Sequence, residues 1–298
     1  MSLKEYVPPR LKPSLRLGRD RLVEAVELAP DYARSLYLGA AQRHMFDDVE
    51  RYVMFVGYPR SGHSLIGSLL NAHPEVVVAN ELNALRHVGV GFSRRQLYAL
   101  LLEKDREFGG LGRFSGAYDY RVEGQWQGRV ERLRVIGDKK GGGSSLLLGR
   151  RPELLDRLRS TVGVPLRLVH VARNPFDNIA TLNRRSLGYT LEESVNLYFR
   201  LANTVEWSAT RVRADEWLEL HHAEFVADPA GAMRQLAAFV GVGATDTYID
   251  ACARIVRPTP SRSRDGAAWT PHLIDEVRRR SDGYHFLRGY VDEVPALA

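Results

Sequence analysis

Two short stretches of the sequence carry residue types and spacings that suit the binding of phosphate groups. The first, Gly57–Ser64 (GYPRSGHS), has the spacing of a nucleotide-binding P-loop, G-x-x-x-x-G-K-[ST], but His63 stands at the lysine position. Gly62 lets the backbone approach an anion, Ser64 brings a hydroxyl to the next helix, and Arg60 adds a permanent charge. Histidine is shorter than lysine and mostly neutral at pH 7, so a damaged ATP loop and a turn without a ligand remain alternatives.

The second stretch follows the apolar run Leu166–Val171. Arg173 is predicted at the carboxyl end of this strand, where ligands bind in open α/β sheets. Thr181 lies eight residues later, in the helix that Pro175 is expected to open. An arginine and a hydroxyl in this arrangement can hold one phosphate group between them. A surface arginine and a threonine packed within its helix are the alternative interpretation.

Strand and helix patterns alternate along the part of the chain that would position these residues. Apolar runs typical of buried strands cover Tyr52–Val56, Glu75–Ala79, Leu133–Ile136, Leu166–Val171 and Trp217–Leu220. Helical periodicity covers Ser64–Asn71, Arg94–Arg106, Arg151–Ser160, Asn174–Arg184, Leu191–Arg213, Pro229–Val240 and Pro271–Ser281. This alternation predicts an α/β fold, with a parallel β-sheet flanked by helices on both faces.

The first part of the chain lies outside this alternation. Residues 1–18 are rich in proline and basic residues and are predicted to be irregular, whereas residues 19–48 have a helical pattern. We therefore divide the chain into an N-terminal helical extension over residues 1–50 and an α/β domain over residues 51–298. Residues 109–128 and 257–268 are predicted to be loops.

Composition narrows the class of protein without identifying a ligand. The 298 residues carry a net charge of +6 and a pI of about 9.5, which favours anionic ligands. The single cysteine, Cys252, excludes an intramolecular disulfide framework and a cysteine-rich zinc site. No secretory signal and no run of about 18 apolar residues is visible, so we expect a cytoplasmic protein without a membrane span.

Taken together, the two phosphate-binding stretches resemble those of sulfotransferases that use 3′-phosphoadenosine 5′-phosphosulfate (PAPS). Tyr58–Ser64 is similar to the 5′-phosphosulfate loop of that family, Y-P-[KR]-S-G-[TS]-[TS], from which His63 departs. Arg173, Asp177 and Thr181 match the spacing of its 3′-phosphate signature. The likeness spans about residues 50 to 290, because two further segments also resemble the family: His222–Pro229 with the helix after it, and Ser261–Gly266 with Trp269 and Leu287–Tyr290.

The resemblance implies a fold like the three-layer sandwich of P-loop NTPases. It also implies PAPS as co-substrate, adenosine 3′,5′-bisphosphate (PAP) as product, and no metal. The residues expected to bind the 5′-phosphosulfate are Arg60, Ser61, Gly62, His63, Ser64 and Leu65. Those expected at the 3′-phosphate and adenine are Arg173, Thr181, Arg262, Arg264 and Gly266, although a solvated basic loop is the alternative for the last three.

The resemblance also suggests how the acceptor proton is removed. One branch of the family uses a histidine after its third core strand, but Val135–Lys140 contains none. Another branch, which includes glycan and tyrosyl-protein sulfotransferases, uses a glutamate just past the second strand, where this chain has Glu81. His87 and His170 are weaker candidates for the base.

Three basic side chains complete the predicted catalytic group. Lys139 lies in a Gly-Asp-Lys segment like that of the glutamate branch, where the lysine reaches the sulfuryl group, and Lys140 is a weaker candidate. Arg60 supplies charge to the loop, and the imidazole of His63 is expected to contact the sulfuryl group. The sequence thus predicts metal-independent sulfuryl transfer to a hydroxyl or amine, with Glu81 as general base.

Two other functional classes remain as alternatives. A P-loop kinase or NTPase with a degenerate Walker A loop would need an acid for Mg²⁺, for which Asp138 is the candidate. A non-catalytic module for nucleic acid or an anionic glycan fits the basic pI, but basic and aromatic residues are not interleaved as such sites require, so we expect no nucleic-acid partner.

The acceptor is a small molecule, glycan, lipid or peptide, and the sequence does not choose among them. Acceptor pockets are built by variable loops, here predicted at residues 83–91, 109–128 and 184–189. The aromatic residues expected to form an apolar or sugar-stacking wall are Phe114, Tyr118, Tyr120 and Trp126. The sequence is also compatible with a homodimer.

Overall fold

The computed structural model describes residues 12–115, 118–185, 188–259, 261–290 and 292–295. Its central sheet has the strand order β2-β5-β1-β6-β7. Those five strands are β1 (Arg51–Val56), β2 (Val76–Asn80), β5 (Val135–Gly141), β6 (Leu166–Ala172) and β7 (Trp217–His221). All neighbouring pairs are parallel, so the carboxyl ends of the strands meet at one edge. A separate antiparallel hairpin pairs β3 (Phe114–Ser115) with β4 (Tyr118–Asp119).

Helices cover both faces of the sheet. They are α1 (Lys12–Glu27), α2 (Ala29–Ala41), α3 (His63–Leu70), α4 (Ala84–Gly89), α5 (Arg94–Gly110), α6 (Gly142–Arg150), α7 (Leu154–Val162), α8 (Pro175–Arg185), α9 (Leu191–Ala209), α10 (His222–Ala227), α11 (Pro229–Val240), α12 (Asp246–Arg254) and α13 (Pro271–Ser281). Short 3₁₀ turns occupy residues 43–46, 214–216, 263–266 and 285–290. The predicted α/β class and its layered architecture are therefore confirmed.

Strand β1 lies at the centre of the sheet because its side chains are apolar on both faces. Val53 and Phe55 point into one core with α3, α11 and α12, whereas Tyr52 and Met54 point into the other with α5 and α7. Alternate residues of a strand face opposite sides, so a continuous apolar run suits a strand that is covered on both.

The structure differs from several of the predicted elements. Helix α1 begins at Lys12, within the segment predicted to be irregular. The predicted loop at residues 83–91 contains α4, because the buried Asp138 carboxylate accepts the N–H groups of Leu82 and Ala84 and holds the start of that helix. Strand β5 extends to Gly141, so Lys139 lies within the strand rather than after it.

The boundary predicted at residue 50 stays a prediction. Helix α2 packs directly on α5, with the amide of Gln96 donating to the hydroxyl of Ser35 at 3.2 Å. Close packing also places the carbonyl of Arg95 3.2 Å from where a Cβ on Gly39 would lie. Within the described ranges, no helix combines the length and apolarity needed to cross a membrane.

Candidate active site

The loop after β1 is a strained turn that presents backbone N–H groups. Gly62 has a φ of 103° and precedes α3, and Arg60 adopts a φ of 71°, which is uncommon for a residue other than glycine. The first helical bond of α3 runs from the Ile66 N–H to the Gly62 carbonyl at 3.2 Å. The N–H groups of the first turn, which belong to His63, Ser64 and Leu65, have no helical acceptor and can bind an anion.

Two contacts fix the loop from below. The hydroxyl of Ser145 in α6 accepts the Gly57 N–H at 2.8 Å, and the buried Ser61 hydroxyl donates to the carbonyl of Tyr58 at 3.1 Å. The Arg60 side chain is exposed, and the Leu65 side chain is partly buried against the core. Of the predicted loop residues, Arg60 and Ser64 are therefore the two whose side chains can reach a ligand.

The imidazole of His63 faces the interior. Its ring packs edge-on against Phe55 at 5.6 Å between centroids and lies against Gly57 and Gly141. A Cβ on Gly141 would lie 2.3 Å from the His63 Nδ1, so glycine at that position makes room for the ring. Burial, together with nearby His170 and Lys139, lowers the pKa of His63 to about 3, so the ring is neutral at pH 7.

This placement does not favour the predicted contact between the His63 imidazole and the sulfuryl group, because the ring fills space beneath the loop. The Ser61 hydroxyl lies 3.1 Å from the His63 Nε2. His63 therefore supports the loop from inside, and only its backbone N–H is oriented for a ligand.

Glu81, Lys139, Lys140 and Ser64 form one cluster at the carboxyl edge of β2 and β5. The ammonium of Lys139 donates to Glu81 at 2.9 Å and to the Ser64 hydroxyl at 2.8 Å, and that of Lys140 donates to Glu81 at 2.9 Å. Partial burial opposes ionisation of Glu81, but the two lysines outweigh it and lower the carboxyl pKa to about 2. Burial lowers the pKa of Lys139, although Glu81 opposes that shift.

Glu81 is held by a strained backbone and a buried acid. Its φ is 69° and that of Asn83 is 67°, so two residues of this turn lie in the left-handed region. Asp138 accepts the N–H groups of Leu82 at 3.0 Å and Ala84 at 2.8 Å. Both Asp138 oxygens are thus occupied by the turn that carries Glu81, which leaves this acid poorly placed to hold Mg²⁺.

Arg173 joins two loops at the carboxyl end of β6. It is buried, and it donates to the carbonyls of Arg60 at 2.8 Å and Ser261 at 2.9 Å. A guanidinium has five N–H donors, so these bonds leave others for a ligand. The Thr181 hydroxyl is nearly buried and donates to the Asp177 carbonyl at 2.8 Å, so binding a phosphate would require it to rotate.

In the predicted cofactor loop, Ser261–Gly266, one arginine side chain is buried and the other is exposed to solvent. Arg264 is buried and donates to Asp177 at 2.6 Å, whereas Arg262 is exposed and pairs with Asp265 at 3.1 Å. Gly266 ends the 3₁₀ turn over residues 263–266, and no atom lies within 4 Å of where its Cβ would be.

A cavity of about 260 Å³ opens between Arg173 and this loop. Its wall includes four residues that sequence reasoning did not assign to the site, namely Asn174, His222, Tyr290 and Glu293. His222 follows β7 directly, so the strand-end rule that identified Arg173 could have identified it. Burial and then Arg173 lower the pKa of His222 to about 4, so it is neutral at pH 7.

The other histidines considered as bases are structural. His87 is buried and bonds Asp31 at 3.0 Å on the side of α2. His170 is fully buried in β6, packs against Phe286 and Trp217, and burial lowers its pKa.

Two regions at one sheet edge thus carry groups that can bind anions. The loop, Lys139 and Arg60 form one, and the cavity beside Arg173 and Arg264 forms the other. This arrangement suits a ligand with two separated phosphate groups, with a carboxylate, Glu81, beside the first of them.

Comparisons with known proteins match part of the chain to one family. A model described as the sulfotransferase family matches residues 166–246, and no curated protein matches the sequence. Among solved structures, the sulfotransferase STF9 from Mycobacterium avium is 11% identical with a TM-score of 0.49, covering 88% of this chain and 85% of that one.

Two further solved structures are similar at comparable levels. The sulfotransferase domain of the Synechococcus PCC 7002 olefin synthase is 17% identical with a TM-score of 0.46, covering 76% of this chain and 83% of that one. Mouse sulfotransferase SULT7A1, crystallised with PAP, is 16% identical with a TM-score of 0.44, covering 82% and 92% of the respective chains. The family match covers a region that includes Arg173, Asp177 and Thr181, and it agrees with the resemblance to PAPS-dependent sulfotransferases that the motifs indicate.

Proposed function

We propose that this enzyme transfers a sulfuryl group from PAPS to a hydroxyl or amine of its acceptor, with Glu81 as general base and without a metal. The observation that carries this proposal is the cluster of Glu81, Lys139 and Ser64 beside the phosphate loop, with contacts of 2.8 and 2.9 Å. In the reaction, the acceptor oxygen forms a bond to sulfur while the bond from sulfur to the 5′-phosphate oxygen breaks. The acceptor proton passes to Glu81, and PAP leaves with the bonding electrons.

The chain's own groups account for the charge that develops on the leaving phosphate. The ammonium of Lys139 contacts the hydroxyl of Ser64 in the first turn of α3, whose N–H groups have no helical acceptor, and the exposed Arg60 can close from outside. Preorganised donors of this kind stabilise a transition state more than water does, because they need not reorient.

The low pKa of Glu81 is a property of the site without donor. A carboxyl with a pKa of about 2 is ionised at pH 7 but binds a proton weakly. When the sulfonate oxygens attract Lys139 and Lys140 away from Glu81, the two charges that lower its pKa are withdrawn. Donor binding would therefore raise the basicity of Glu81 at the moment when a base is needed.

The second anion-binding region supports the use of PAPS rather than a nucleotide without a 3′-phosphate. Arg173 and Arg264 lie on the wall of the cavity at the ends of β6 and the C-terminal loop. We assign the 3′-phosphate to this cavity, with Arg173 as its main charged contact.

The geometry disfavours a kinase or NTPase. Such an enzyme needs a hydroxyl and an acid for Mg²⁺, but Ser64 accepts from Lys139 and Asp138 accepts two backbone N–H groups. The lysine that would reach the terminal phosphates is replaced by an inward-facing His63.

We assign the acceptor side of the site to the β3–β4 hairpin and the residues that follow it. The rings of Tyr118 and Tyr120 stack at 6.2 Å between centroids, and the Arg257 guanidinium lies 5.1 Å from the centre of the Tyr118 ring. Phe114 and Trp126 are also exposed, and exposed aromatic side chains of this kind suit an acceptor with an apolar or sugar face.

A transfer assay with labelled PAPS tests the proposal. Purified enzyme is incubated with ³⁵S-labelled PAPS and phenolic, sugar, lipid and peptide acceptors, with and without a chelator. General acid–base catalysis contributes roughly 10²- to 10⁴-fold, so we expect Glu81→Gln to reduce transfer by at least about 100-fold with PAP affinity within about threefold. The matched control is Glu131→Gln, an exposed glutamate just before β5.

The outcomes separate the parts of the proposal. Transfer that survives in Glu81→Gln removes the base assignment but leaves sulfuryl transfer intact. Loss of transfer on chelation contradicts a metal-independent reaction. Failure of the wild-type protein to bind PAP, with binding of ATP and Mg²⁺ instead, would overturn the assignment of PAPS as donor.

A further inference from the structure

The C-terminal segment places a carboxylate inside the cavity assigned to the 3′-phosphate. Glu293 follows the 3₁₀ turn over residues 285–290, and its N–H donates to the Tyr290 carbonyl at 3.2 Å. Its carboxylate Oε2 accepts from the amide of Asn174 and from the guanidinium of Arg264, each at 3.2 Å. Two donors from separate segments thus converge on one carboxylate oxygen.

The two donors are buried and fixed in direction. Asn174 is 4% exposed, and its side-chain oxygen accepts the N–H groups of Phe176 and Asp177 at the start of α8. With the oxygen committed to the helix, the amide nitrogen must point into the cavity. Arg264 is held in place by Asp177, which accepts both its guanidinium and its backbone N–H.

The Glu293 carboxylate, which accepts both of these hydrogen bonds, is neither buried nor fixed as its two donors are. The Glu293 side chain is 52% exposed, and its only hydrogen bonds to side chains in the described residues are those from Asn174 and Arg264. Arg264 is already neutralised by Asp177, so Glu293 brings a second carboxylate to the same guanidinium. An exposed carboxylate in this position can be displaced without disturbing the buried pair.

The charge balance of the cavity gives this contact a consequence for the ligand. The wall carries Arg173, Arg262 and Arg264 against Asp177 and Glu293, while His222 beside them is neutral. The amide of Asn174 also donates to the backbone carbonyl of Glu293 at 3.2 Å, so the whole residue must move out of the cavity to remove one negative charge and free both donors. The 3′-phosphate, which offers several acceptor oxygens and a negative charge, is suited to replace it.

We propose that Glu293 is an internal competitor for the 3′-phosphate, so that binding of PAPS or PAP requires the C-terminal segment to release Asn174 and Arg264. This inference rests on the proposed use of PAPS. The same contact would assist release of PAP, because Glu293 can return to its two donors as the phosphate leaves.

Binding of two nucleotides to three proteins tests the inference. The proteins are wild type, Glu293→Gln and the matched control Asp292→Asn, whose side chain is 93% exposed and lies next to Glu293 in the chain. The nucleotides are PAP and adenosine 5′-monophosphate, which lacks the 3′-phosphate, and affinities are measured by titration calorimetry at one ionic strength. We expect Glu293→Gln to bind PAP about tenfold more tightly, equivalent to about 1.4 kcal/mol. It should bind adenosine 5′-monophosphate within about twofold of wild type, as should Asp292→Asn for both ligands.

Each other outcome has a definite meaning. Unchanged or weaker PAP binding by Glu293→Gln overturns the inference, because it makes Glu293 a structural partner of Arg264. Equal tightening for both nucleotides also overturns it, since the effect would then be one of general charge. If wild type binds neither nucleotide, the proposed use of PAPS fails. A normal wild-type affinity with no effect of Glu293→Gln removes the competitor alone.

Discussion

Replacing His63 with threonine tests whether the inward-facing imidazole belongs to the core in its neutral form. The side chain is 6% exposed, and burial and nearby positive or basic groups lower its pKa to about 3. A histidine in an unfolded chain has a pKa of about 6.5. As the pH falls below 6.5, the unfolded state therefore binds a proton that the folded state does not, and the free energy of unfolding decreases.

The size of this effect follows from the difference between the two pKa values. Below the unfolded pKa, each pH unit costs about 1.4 kcal/mol per histidine, so His63 accounts for about 2 kcal/mol between pH 7 and pH 5. Threonine does not titrate in this range, so the variant lacks this loss. His170 and His222 also titrate on unfolding, but they are present in both proteins and cancel in the comparison.

The variant should therefore be less stable than wild type at neutral pH, and the difference in the free energy of unfolding should become smaller at acidic pH. At pH 7 we expect His63→Thr to lower the free energy of unfolding by about 1–3 kcal/mol, since a smaller side chain leaves a cavity against Gly57 and Gly141. At pH 5 that deficit should shrink by about 2 kcal/mol.

Urea unfolding at pH 7, 6 and 5, followed by tryptophan fluorescence and circular dichroism, measures both quantities. His272→Thr is the control, because it is the same replacement at an exposed position at the start of α13. Parallel stability curves for wild type and His63→Thr would refute the reasoning, since they would mean that His63 is protonated equally in the folded and unfolded states.

Three further substitutions test other contacts of the site. Asp138→Asn places an N–H₂ group against a backbone donor, so thermal unfolding should reveal a loss of about 1–3 kcal/mol, and displacement of Glu81 should reduce transfer about tenfold or more. A stability loss with full transfer would separate Asp138 from Glu81. Arg173→Lys cannot bridge two carbonyls with a single ammonium in the same geometry, so calorimetry should give about tenfold weaker PAP binding, and unchanged affinity would contradict its role. Gly137→Ala places a Cβ 2.1 Å from the Val53 carbonyl oxygen, so chemical denaturation should reveal a loss of about 3 kcal/mol or more, and near-normal stability would show that β5 can shift.

The sheet could be predicted from the sequence because its signal is local. The apolar runs at Tyr52–Val56 and Leu166–Val171 coincide with β1 and β6, and the carboxyl-edge rule placed Arg173 beside the loop. The functional role of Lys139 was predicted from the family resemblance. Its contacts with Glu81 after β2 and with Ser64 in α3 could be seen only in the structure, where the register of β5 pairs Lys139 with Asn80.

The orientation of individual side chains could not be predicted in the same way. The inward turn of His63 depends on space left by Gly57, which follows β1, and by Gly141, which ends β5. The carboxylate of Glu293 reaches Asn174 across more than a hundred residues of chain, so no short pattern contains that contact. Both features depend on long-range packing, whereas periodicity reports only local structure.

The positive charge that a lysine at position 63 would bring to the loop is supplied instead by Lys139 on β5. A lysine at position 63 in the orientation of His63 would bury its ammonium beside Gly57 and Gly141, and an unpaired buried ammonium is costly. Lys139 instead reaches the same loop from β5 and is paired with Glu81 at 2.9 Å while it contacts Ser64. A cation on β5 can therefore serve both the loop and the carboxylate, which couples donor binding to the proposed base in a way that a lysine within the loop would not.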